Sequence, residues 1–146
     1  MREKTLFFII ILTFYGCIND SKEIPACNFE VQNGLTYTDG RLLGGKCNVF
    51  YNDTLLWKTR TYKKGKLVEE IGYYFDGSIE YVGKEKDGKI DGDFISYYPN
   101  GQVSIEGELD MGKYIDEWKY YDDDGTLNKT LKYNSSGQMI DSIYHK

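Results

Sequence analysis

Carboxylates are the side chains of this sequence with the clearest capacity for chemistry. Asp122, Asp123 and Asp124 run directly into Gly125, and their oxygens could bind a cation. A calcium-binding loop of the helix-loop-helix type needs a glutamate at its twelfth position. That position is occupied by Tyr133. The run therefore predicts a solvated turn that carries three carboxylates, and no metal site.

The other groups that could serve in catalysis lack partners. Glu106 and Glu108 would share one face of a strand, where acidic side chains ordinarily meet water. The Ser135-Ser136 pair has no histidine nearby to activate it, because His145 is the only histidine and lies one residue from the end. The glycines fall at turn positions, so they do not form a loop for phosphate. We predict that the protein is not an enzyme and that it uses no cofactor or small-molecule substrate.

Charge and composition narrow the choice of partner and of fold. The net charge is -5 and the sequence pI is about 4.9. Nucleic acids and anionic lipid headgroups both need a basic face, so neither is expected to bind. The chain has 14 tyrosines, 16 glycines and only 2 prolines. Tyrosine favours strands and glycine favours turns, so the composition indicates β structure.

The first sixteen residues have the pattern of an export signal. Met1 to Lys4 form a short charged start, and Leu6 to Tyr15 follow without a charge. Such a run suits the core of a signal peptide and is too short for a membrane span, which needs about 20 residues. We predict a signal peptide over residues 1–16. An ordinary secretory signal with an incidental cysteine and an uncut N-terminal anchor stay open as alternatives.

Gly16-Cys17 at the end of this run resembles the processing site of bacterial lipoproteins. The resemblance implies that Cys17 becomes the N-terminus and carries several acyl chains, which together hold a protein stably on a membrane. Residues 17–33 would then be the lipidated cysteine and a tether. Ile18 follows the cysteine in place of Asp, which by resemblance to sorted lipoproteins implies the outer membrane of the bacterial cell envelope.

Two cysteines remain once Cys17 is assigned to lipid. Export would place Cys27 and Cys47 in an oxidising compartment, where a pair tends to form a disulfide. The closed loop would constrain the unfolded chain by about 3 kcal/mol. Two buried free thiols are the alternative.

The body of the chain is a repeat of about 24 residues. Turn residues recur at positions 53, 77, 101 and 125, and a second series of turn dipeptides lies between them. Hydrophobic positions keep the same spacing, as in the columns Leu55, Ile79, Val103, Leu127 and Phe50, Tyr74, Tyr98, with Tyr121 one residue early. Fixed periods of this length are typical of repeat architectures.

Each repeat predicts two antiparallel strands. Asp-Gly and Asn-Gly are hairpin signals, and Ile79 and Tyr81 alternate with polar neighbours as in a half-buried strand. We therefore predict an all-β fold in which antiparallel hairpin repeats over residues 34–146 form one elongated sheet, with no long helix after residue 30. The paired tyrosines are expected to form aromatic ladders along it: Tyr73-Tyr74, Tyr97-Tyr98 and Tyr120-Tyr121.

The segment GDFISYYPNG, residues 92–101, resembles the core G-x-W-x-x-Y-Y-x-N-G of a MORN-repeat variant. Residues 116–121, 70–77 and 45–51 resemble poorer copies, with Cys47 near the aromatic position of the last. The resemblance implies a MORN-like sheet and a module that binds proteins or associates with membranes. Chains with this repeat include a bacterial family of antitoxins (YwqK-like).

Two functions follow as hypotheses. The first is a membrane-tethered, non-catalytic module that binds a protein through an aromatic and acidic face. The second, by family resemblance, is an antitoxin or immunity protein that binds and neutralises a toxin. For either function the residues expected at the contact face are the strand-end tyrosines Tyr98 and Tyr121 and the turn acids Asp123 and Asp124.

Overall fold

The computed structural model describes residues 24–146, so the signal peptide and Cys17 lie outside the described residues. The described chain folds into two antiparallel sheets and no helix. It accordingly contains no helix long and apolar enough to cross a membrane. The all-β class and the elongated sheet of hairpins predicted from the repeat are confirmed.

The small sheet holds three short strands, β1 (Glu30–Gln32), β2 (Leu35–Thr38) and β3 (Arg41–Leu42). The large sheet is an up-and-down meander of nine strands in chain order. Its strands are β4 (Gly45–Phe50), β5 (Leu56–Lys63), β6 (Lys66–Tyr73), β7 (Ile79–Lys86), β8 (Lys89–Tyr97), β9 (Val103–Asp110), β10 (Lys113–Tyr121), β11 (Leu127–Tyr133) and β12 (Met139–Tyr144). The repeat sheet thus begins at Gly45, and residues 34–44 belong to the small sheet and its connection.

The hairpin turns alternate between two rims of the large sheet. The tight-turn rim carries the two-residue turns at 64–65, 87–88 and 111–112, in which both residues have positive φ. That geometry matches the twist of the flanking strands. The wide-turn rim carries residues 51–55, 74–78, 98–102 and 122–126, each closed by a backbone hydrogen bond from its first residue to its last.

Strand pairing shows that the repeat period is not uniform. Phe50 pairs with Leu56, and the equivalent pair in the next hairpin is Tyr73 with Ile79. The first period is therefore 23 residues, by subtraction of 56 from 79, whereas the later ones are 24. Phe50 is therefore the structural equivalent of Tyr73, and not of Tyr74 as the sequence spacing predicted.

The two faces of the large sheet differ in composition. The front face carries a column in which Arg60, Glu70, Gly83 and Phe94 pair in turn across the strands. The back face carries Thr59, Ile71, Val82 and Ile95 in the equivalent row. Trp118, on the front face, is only 2% exposed.

A stack of rings on the front face forms the apolar core. Tyr81 stacks on Phe94, Phe94 on Trp118, and Tyr114 contacts both Trp118 and Tyr133. Gly107 makes room for this stack, because a Cβ atom there would lie 2.4 Å from the Trp118 ring. Ring contacts between the tyrosine pairs, expected from the sequence, are absent from the described residues.

Hydroxyl groups join the tyrosine columns instead. The Tyr74 hydroxyl donates to the Tyr97 carbonyl at 2.7 Å, and the Tyr98 hydroxyl donates to the Tyr121 carbonyl at 2.8 Å. These side chains therefore lie along the rim, where they reach the next hairpin with their polar ends and not with their faces.

The small sheet covers one end of the front face. Backbone hydrogen bonds join Thr36 and Leu43 to the turn residue Gly65. The rings of Phe29 and Tyr62 approach to 6.1 Å. Cys27 and Cys47 form a disulfide with an Sγ–Sγ distance of 2.09 Å, which fastens the segment before β1 to β4.

Candidate functional site

The four residues expected at a contact face all lie on the wide-turn rim. Besides the bond from Tyr98 to the Tyr121 carbonyl, the Asn100 side chain donates to the Asp123 carbonyl at 2.7 Å. These two bonds hold the turn at 98–102 against the turn at 122–126. The structure thus brings Tyr98, Tyr121, Asp123 and Asp124 together at the ends of β8 and β10.

Tyr98 and Tyr121 do not occupy equivalent positions in their repeats. The repeat spacing had placed them in one column. Tyr121 pairs with Leu127 as Tyr97 pairs with Val103, so Asp122 takes the place of Tyr98 in the next hairpin. The Tyr121 hydroxyl donates to the Glu106 carboxylate at 2.7 Å. Burial and this carboxylate raise the pKa of Tyr121. Both hydroxyls are used within the chain, so the two tyrosines can offer a partner mainly the apolar parts of their rings.

The acidic turn at 122–126 is solvated and internally bonded. The Asp124 carboxylate accepts a hydrogen bond from the Thr126 N–H at 2.8 Å, which holds the pKa of Asp124 below its usual value. The Asp122 carboxylate accepts from the Asn128 side chain. Within residues 24–146 the carboxylate of Asp123 has no hydrogen-bond donor, and no group of three or more side chains could hold a metal ion.

The most exposed aromatic residues of the same rim were not among those predicted from the sequence. Phe75 is 81% exposed and Tyr51 is 70% exposed, and their rings lie 6.2 Å apart. Trp57, at the start of β5, is also exposed. A signal was available, because Phe75 occupies the turn position that holds Pro99 and Asp123 in the later repeats. A large apolar residue there has no partner in its own hairpin.

Aromatic residues recur along the whole rim, exposed at its first two wide turns and half-buried at the later ones. Each wide turn is flanked by a pair that sets an aromatic residue beside an aliphatic one: Phe50–Leu56, Tyr73–Ile79, Tyr97–Val103 and Tyr121–Leu127. We call the wide-turn rim with these pairs and with Tyr51, Trp57 and Phe75 the aromatic rim. Scattered exposed apolar residues are normal on a protein surface, whereas a contiguous patch marks a contact site.

A shallow acidic groove of about 380 Å³ crosses the middle of the sheet, partly on its back face. The Glu106 carboxylate in it accepts from Lys119 at 3.2 Å as well as from Tyr121. Five carboxylates and one ammonium group line the groove: Asp93, Glu106, Glu108, Asp116, Glu117 and Lys119. Three of the carboxylates are paired with lysines of the chain, Asp93 with Lys84, Glu106 with Lys119 and Glu117 with Lys132, so the attraction for a basic group rests on Glu108 and Asp116. Through Tyr121 the groove is continuous with the aromatic rim.

A second cluster of charges is buried on the front face beneath the small sheet. Glu70 is 7% exposed, and its carboxylate accepts hydrogen bonds from Lys58 at 2.6 Å, Arg60 at 2.8 Å and Tyr81 at 2.5 Å. Burial opposes ionisation, but the bonds from Lys58, Tyr81 and Arg60 hold the pKa of Glu70 below its usual value. The cluster is a satisfied ion network, which explains a buried carboxylate without a catalytic role.

The groove beside this cluster has a volume of about 740 Å³ and contains one unsatisfied carboxylate oxygen. Oε2 of Glu85 is buried without a hydrogen-bond partner among the described residues. Burial, with repulsion from Glu70, raises the pKa of Glu85. Since Phe29, Val31 and Tyr62 also line the groove, its walls come from both sheets.

Comparison of the chain with models of protein families, with curated proteins and with solved structures gives no match.

Proposed function

We propose that the protein is a lipid-anchored, non-catalytic module of the bacterial cell envelope, at the outer membrane, that binds a protein partner through its aromatic rim. The observation that carries this proposal is the group of exposed aromatic residues at the first two wide turns of this rim, of which Phe75 and Tyr51 are the most exposed. Tyrosine and tryptophan are enriched at protein interfaces because they combine a large contact area with a polar tip.

Charge on the rim favours a basic partner. Asp53, Asp76, Asp123 and Asp124 lie in three of the four wide turns of the rim, and the acidic groove is joined to Tyr121 through Glu106. The net charge of -5 has the same sign. Complementary charge steers association and gives a salt-dependent on-rate. Repeats that present one rim in succession also allow a partner to contact several of them at once.

The arrangement of the side chains supports a role without catalysis. His145, the only histidine, lies at the end of the large sheet with Nε2 3.0 Å from the Thr130 hydroxyl. Two carboxylates with shifted pKa values, Glu70 and Glu85, lie beneath the small sheet, and Glu70 is held there by Lys58 and Arg60. Charges held in a buried ion network stabilise the fold and need no substrate to account for them.

The path of the chain supports a tether at the first edge of the sheet. The described chain starts at Ile24, whose carbonyl accepts a hydrogen bond from the Asn48 side chain on β4. Cys17 precedes Ile24 by seven residues, which can span at most about 25 Å. A lipid on Cys17 would therefore hold the β4 edge close to the membrane. Mass spectrometry of the membrane fraction should find an acylated N-terminal cysteine; an intact Met1 would contradict the anchor.

Site-specific photocrosslinking in cells tests the contact face. We expect a benzoylphenylalanine at position 75 to capture one stoichiometric protein, because this aromatic replacement keeps the character of Phe75. The matched control carries the same group at Lys89, which is exposed on the tight-turn rim. Equal capture from both positions, or from neither, would contradict the proposed rim. Capture of one basic toxin would identify an immunity protein, and capture of several envelope proteins a general binding module.

Charge reversal on the turn tests the role of the acids. Asp123→Lys with Asp124→Lys should lower the affinity for the captured partner, mainly through the on-rate, and make binding less sensitive to salt. The control is Asp87→Lys with Asp110→Lys on the opposite rim, which changes the net charge by the same amount. If both pairs change binding alike, the effect comes from overall charge and the acidic turn is not part of the contact.

A further inference from the structure

The two outer edges of the large sheet differ in whether another segment of the chain covers them. At the first edge, the middle of β4 is already occupied. The Cys27 N–H donates to the Asn48 carbonyl, and the Asn48 N–H donates to the Pro25 carbonyl, both at 2.7 Å. The Cys27–Cys47 disulfide fixes this segment in place. A strand from another molecule cannot pair there without displacing residues 25–27.

At the second edge, β12 presents an open strand. No strand among residues 24–146 pairs with its outer side. All six of its residues are exposed, and Tyr144 is 72% exposed. Natural edge strands are commonly protected by lysine, proline or a covering segment. β12 contains no lysine or proline, and Asp141 is its only charged residue.

The free hydrogen-bonding groups of β12 can be assigned from its register. His145 donates to the Asn128 carbonyl, so this pair is of the hydrogen-bonded kind. Pairs alternate along an antiparallel ladder. Ile143 and Asp141 therefore bond to β11, while the N–H and C=O groups of Ser142 and Tyr144 point outward. The Ser142 N–H donates to the Asp141 carboxylate of its own chain at 2.8 Å, so a second strand would replace that bond. The Ser142 C=O and both backbone groups of Tyr144 have no partner among the described residues and are available to another strand.

We propose that β12 joins two copies of this chain, antiparallel and around a two-fold axis at Ile143, into one continuous sheet. In this register Ser142 of each copy pairs with Tyr144 of the other, and each pair exchanges two backbone hydrogen bonds. Ile143 lies opposite Ile143 of the second copy. The proposal does not depend on the lipid anchor or on the aromatic rim.

The chain itself argues for a second copy as the occupant. Growth by pairing β12 with β4 of a further copy is prevented by the segment that covers β4, so a closed, two-fold arrangement is what remains. Directly opposite residues of an antiparallel pair point to the same face of the sheet. A two-fold axis between two copies of β12 must therefore pass through a residue position and not between two positions. An axis at Asp141 would oppose two carboxylates, which is unfavourable.

The axis at Ile143 gives complementary side chains. It sets Asp141 of each copy opposite His145 of the other. Nε2 of His145 lies at the Thr130 hydroxyl, so the tautomer protonated on Nδ1 keeps that N–H free to donate to Asp141 of the second copy. An axis at Ser142 would instead need the backbone of Ile140, where the register of β11 and β12 is shifted by a bulge.

Cysteine cross-linking of the full chain, purified from membranes in detergent, tests both the dimer and its register. In Ile143→Cys the two introduced cysteines would face each other in a non-hydrogen-bonded pair, with Cα atoms about 4.5 Å apart. That separation permits a disulfide. In the control Tyr144→Cys, the introduced cysteines would lie about two residues apart along the strands, which is too far. We expect a cross-linked dimer with the first variant, and only the background of the unmodified chain with the second.

The mass of the unmodified chain provides a test without any substitution. A single strand pair is a small interface, so we expect dissociation in the range of about 1–100 µM and a dimer by light scattering at about 200 µM. Asp141→Lys should weaken the dimer at least about tenfold, and His145→Asp added to it should restore affinity by reversing the pair. A monomer at about 200 µM, equal cross-linking by both cysteine variants, or no restoration by the reversed pair would overturn the proposal.

Discussion

The early and late repeats of the large sheet fill the same position with different chemistry. Cys47, Glu70, Phe94 and Trp118 occupy equivalent places in successive repeats, all on the front face. The two late residues are stacked rings, with centroids 6.0 Å apart. The two early ones are a disulfide cysteine and a carboxylate held by three hydrogen bonds. Three of the four residues are buried and Phe94 is half-buried, so the position favours burial, and the repeat does not dictate how burial is achieved.

The difference lies in what covers the position. In the late repeats a neighbouring ring covers the residue, and a glycine on the next strand makes room, as Gly107 does for Trp118. In the early repeats the small sheet and the segment before it provide the cover. A single-layer sheet has no second layer to bury its front face, so each end is covered in a different way. This teaches that the stability of the two ends should depend on different groups.

The largest expected effect is the loss of the ring at the late end. Trp118→Ala should lower the free energy of unfolding by about 4 kcal/mol, because it removes a buried indole and the stacks on both sides. Urea unfolding followed by circular dichroism measures the loss. Phe75→Ala removes an exposed ring and should cost less than about 0.5 kcal/mol. Equal losses for the two variants would mean that the stack does not hold the late end.

Next in size is the covalent device at the early end. Cys27→Ala with Cys47→Ala should lower the free energy of unfolding by about 3 kcal/mol, because the bond closes a loop with a sequence separation of 20. Reductant should destabilise the unmodified chain by a similar amount and leave the double variant unaffected. If reductant changes neither protein, the two sulfurs are not bonded in the exported form.

The sequence was sufficient to predict the sheet because its signals are local. Paired turn dipeptides and alternating strands such as Ile79–Tyr81 fix hairpins, and hairpins in series give a meander. The predicted tyrosine ladders were wrong, because bulges beside the wide turns, as between Gly72 and Tyr73, redirect the strand ends. Bulges leave little trace in a repeat spacing of about 24 residues.

The candidate site could be predicted only in part. Tyr98, Tyr121, Asp123 and Asp124 are close together on one rim, as their turn positions suggested, but the bonds used by their polar groups depend on contacts between hairpins. The exposure of Phe75 was indicated by its turn position and not by its type, since most phenylalanines are buried. The buried network around Glu70 was also missed, because an isolated carboxylate on a strand resembles a solvated one.

A smaller effect is expected from that ion network. Glu70→Ala should lower the free energy of unfolding by about 2 kcal/mol, because Lys58 and Arg60 would keep partly buried charges without a counter-ion. Glu69→Ala is the matched control, since this neighbour lies on the back face and should cost less than about 0.5 kcal/mol. A loss as small as that of the control would show that solvent already screens the cluster.

Converting the early position to the late design sharpens the comparison. Glu70→Phe together with Lys58→Met and Arg60→Met replaces the ion network by an apolar one of similar volume. Such replacements are often neutral or stabilising, so we expect urea unfolding to place this variant within about 1 kcal/mol of the unmodified chain. A larger loss would mean that the charges are needed to position the small sheet, and that the two ends are not interchangeable.

The smallest effect, and the one with a distinctive sign, concerns the pH dependence of Glu70 and Glu85. The pKa of Glu70 is lowered in the folded chain, so its contribution is present above its usual value of 4.5 and is lost as the pH falls through the folded pKa. The pKa of Glu85 is raised, chiefly by burial. Below pH 4.5 it is protonated in both states; as the pH rises from there, the unfolded state loses its proton first and becomes favoured.

Glu85→Gln should therefore stabilise the protein at neutral pH, by less than about 1 kcal/mol, and should have no such benefit near pH 4. Glu70→Gln should show the opposite trend, with its cost largest at neutral pH and declining as the solution is acidified. Urea unfolding of both variants and of the unmodified chain at pH values between 4 and 8 provides the comparison. If the benefit of Glu85→Gln is the same at every pH, the amide acts by finding a hydrogen-bond partner and not by removing a buried charge. The structure leaves Oε2 of Glu85 without a hydrogen-bond partner. Loss of stability in this variant at neutral pH would mean that the Glu85 carboxylate is ionised and paired in solution. The early end would then hold two satisfied carboxylates, Glu70 and Glu85.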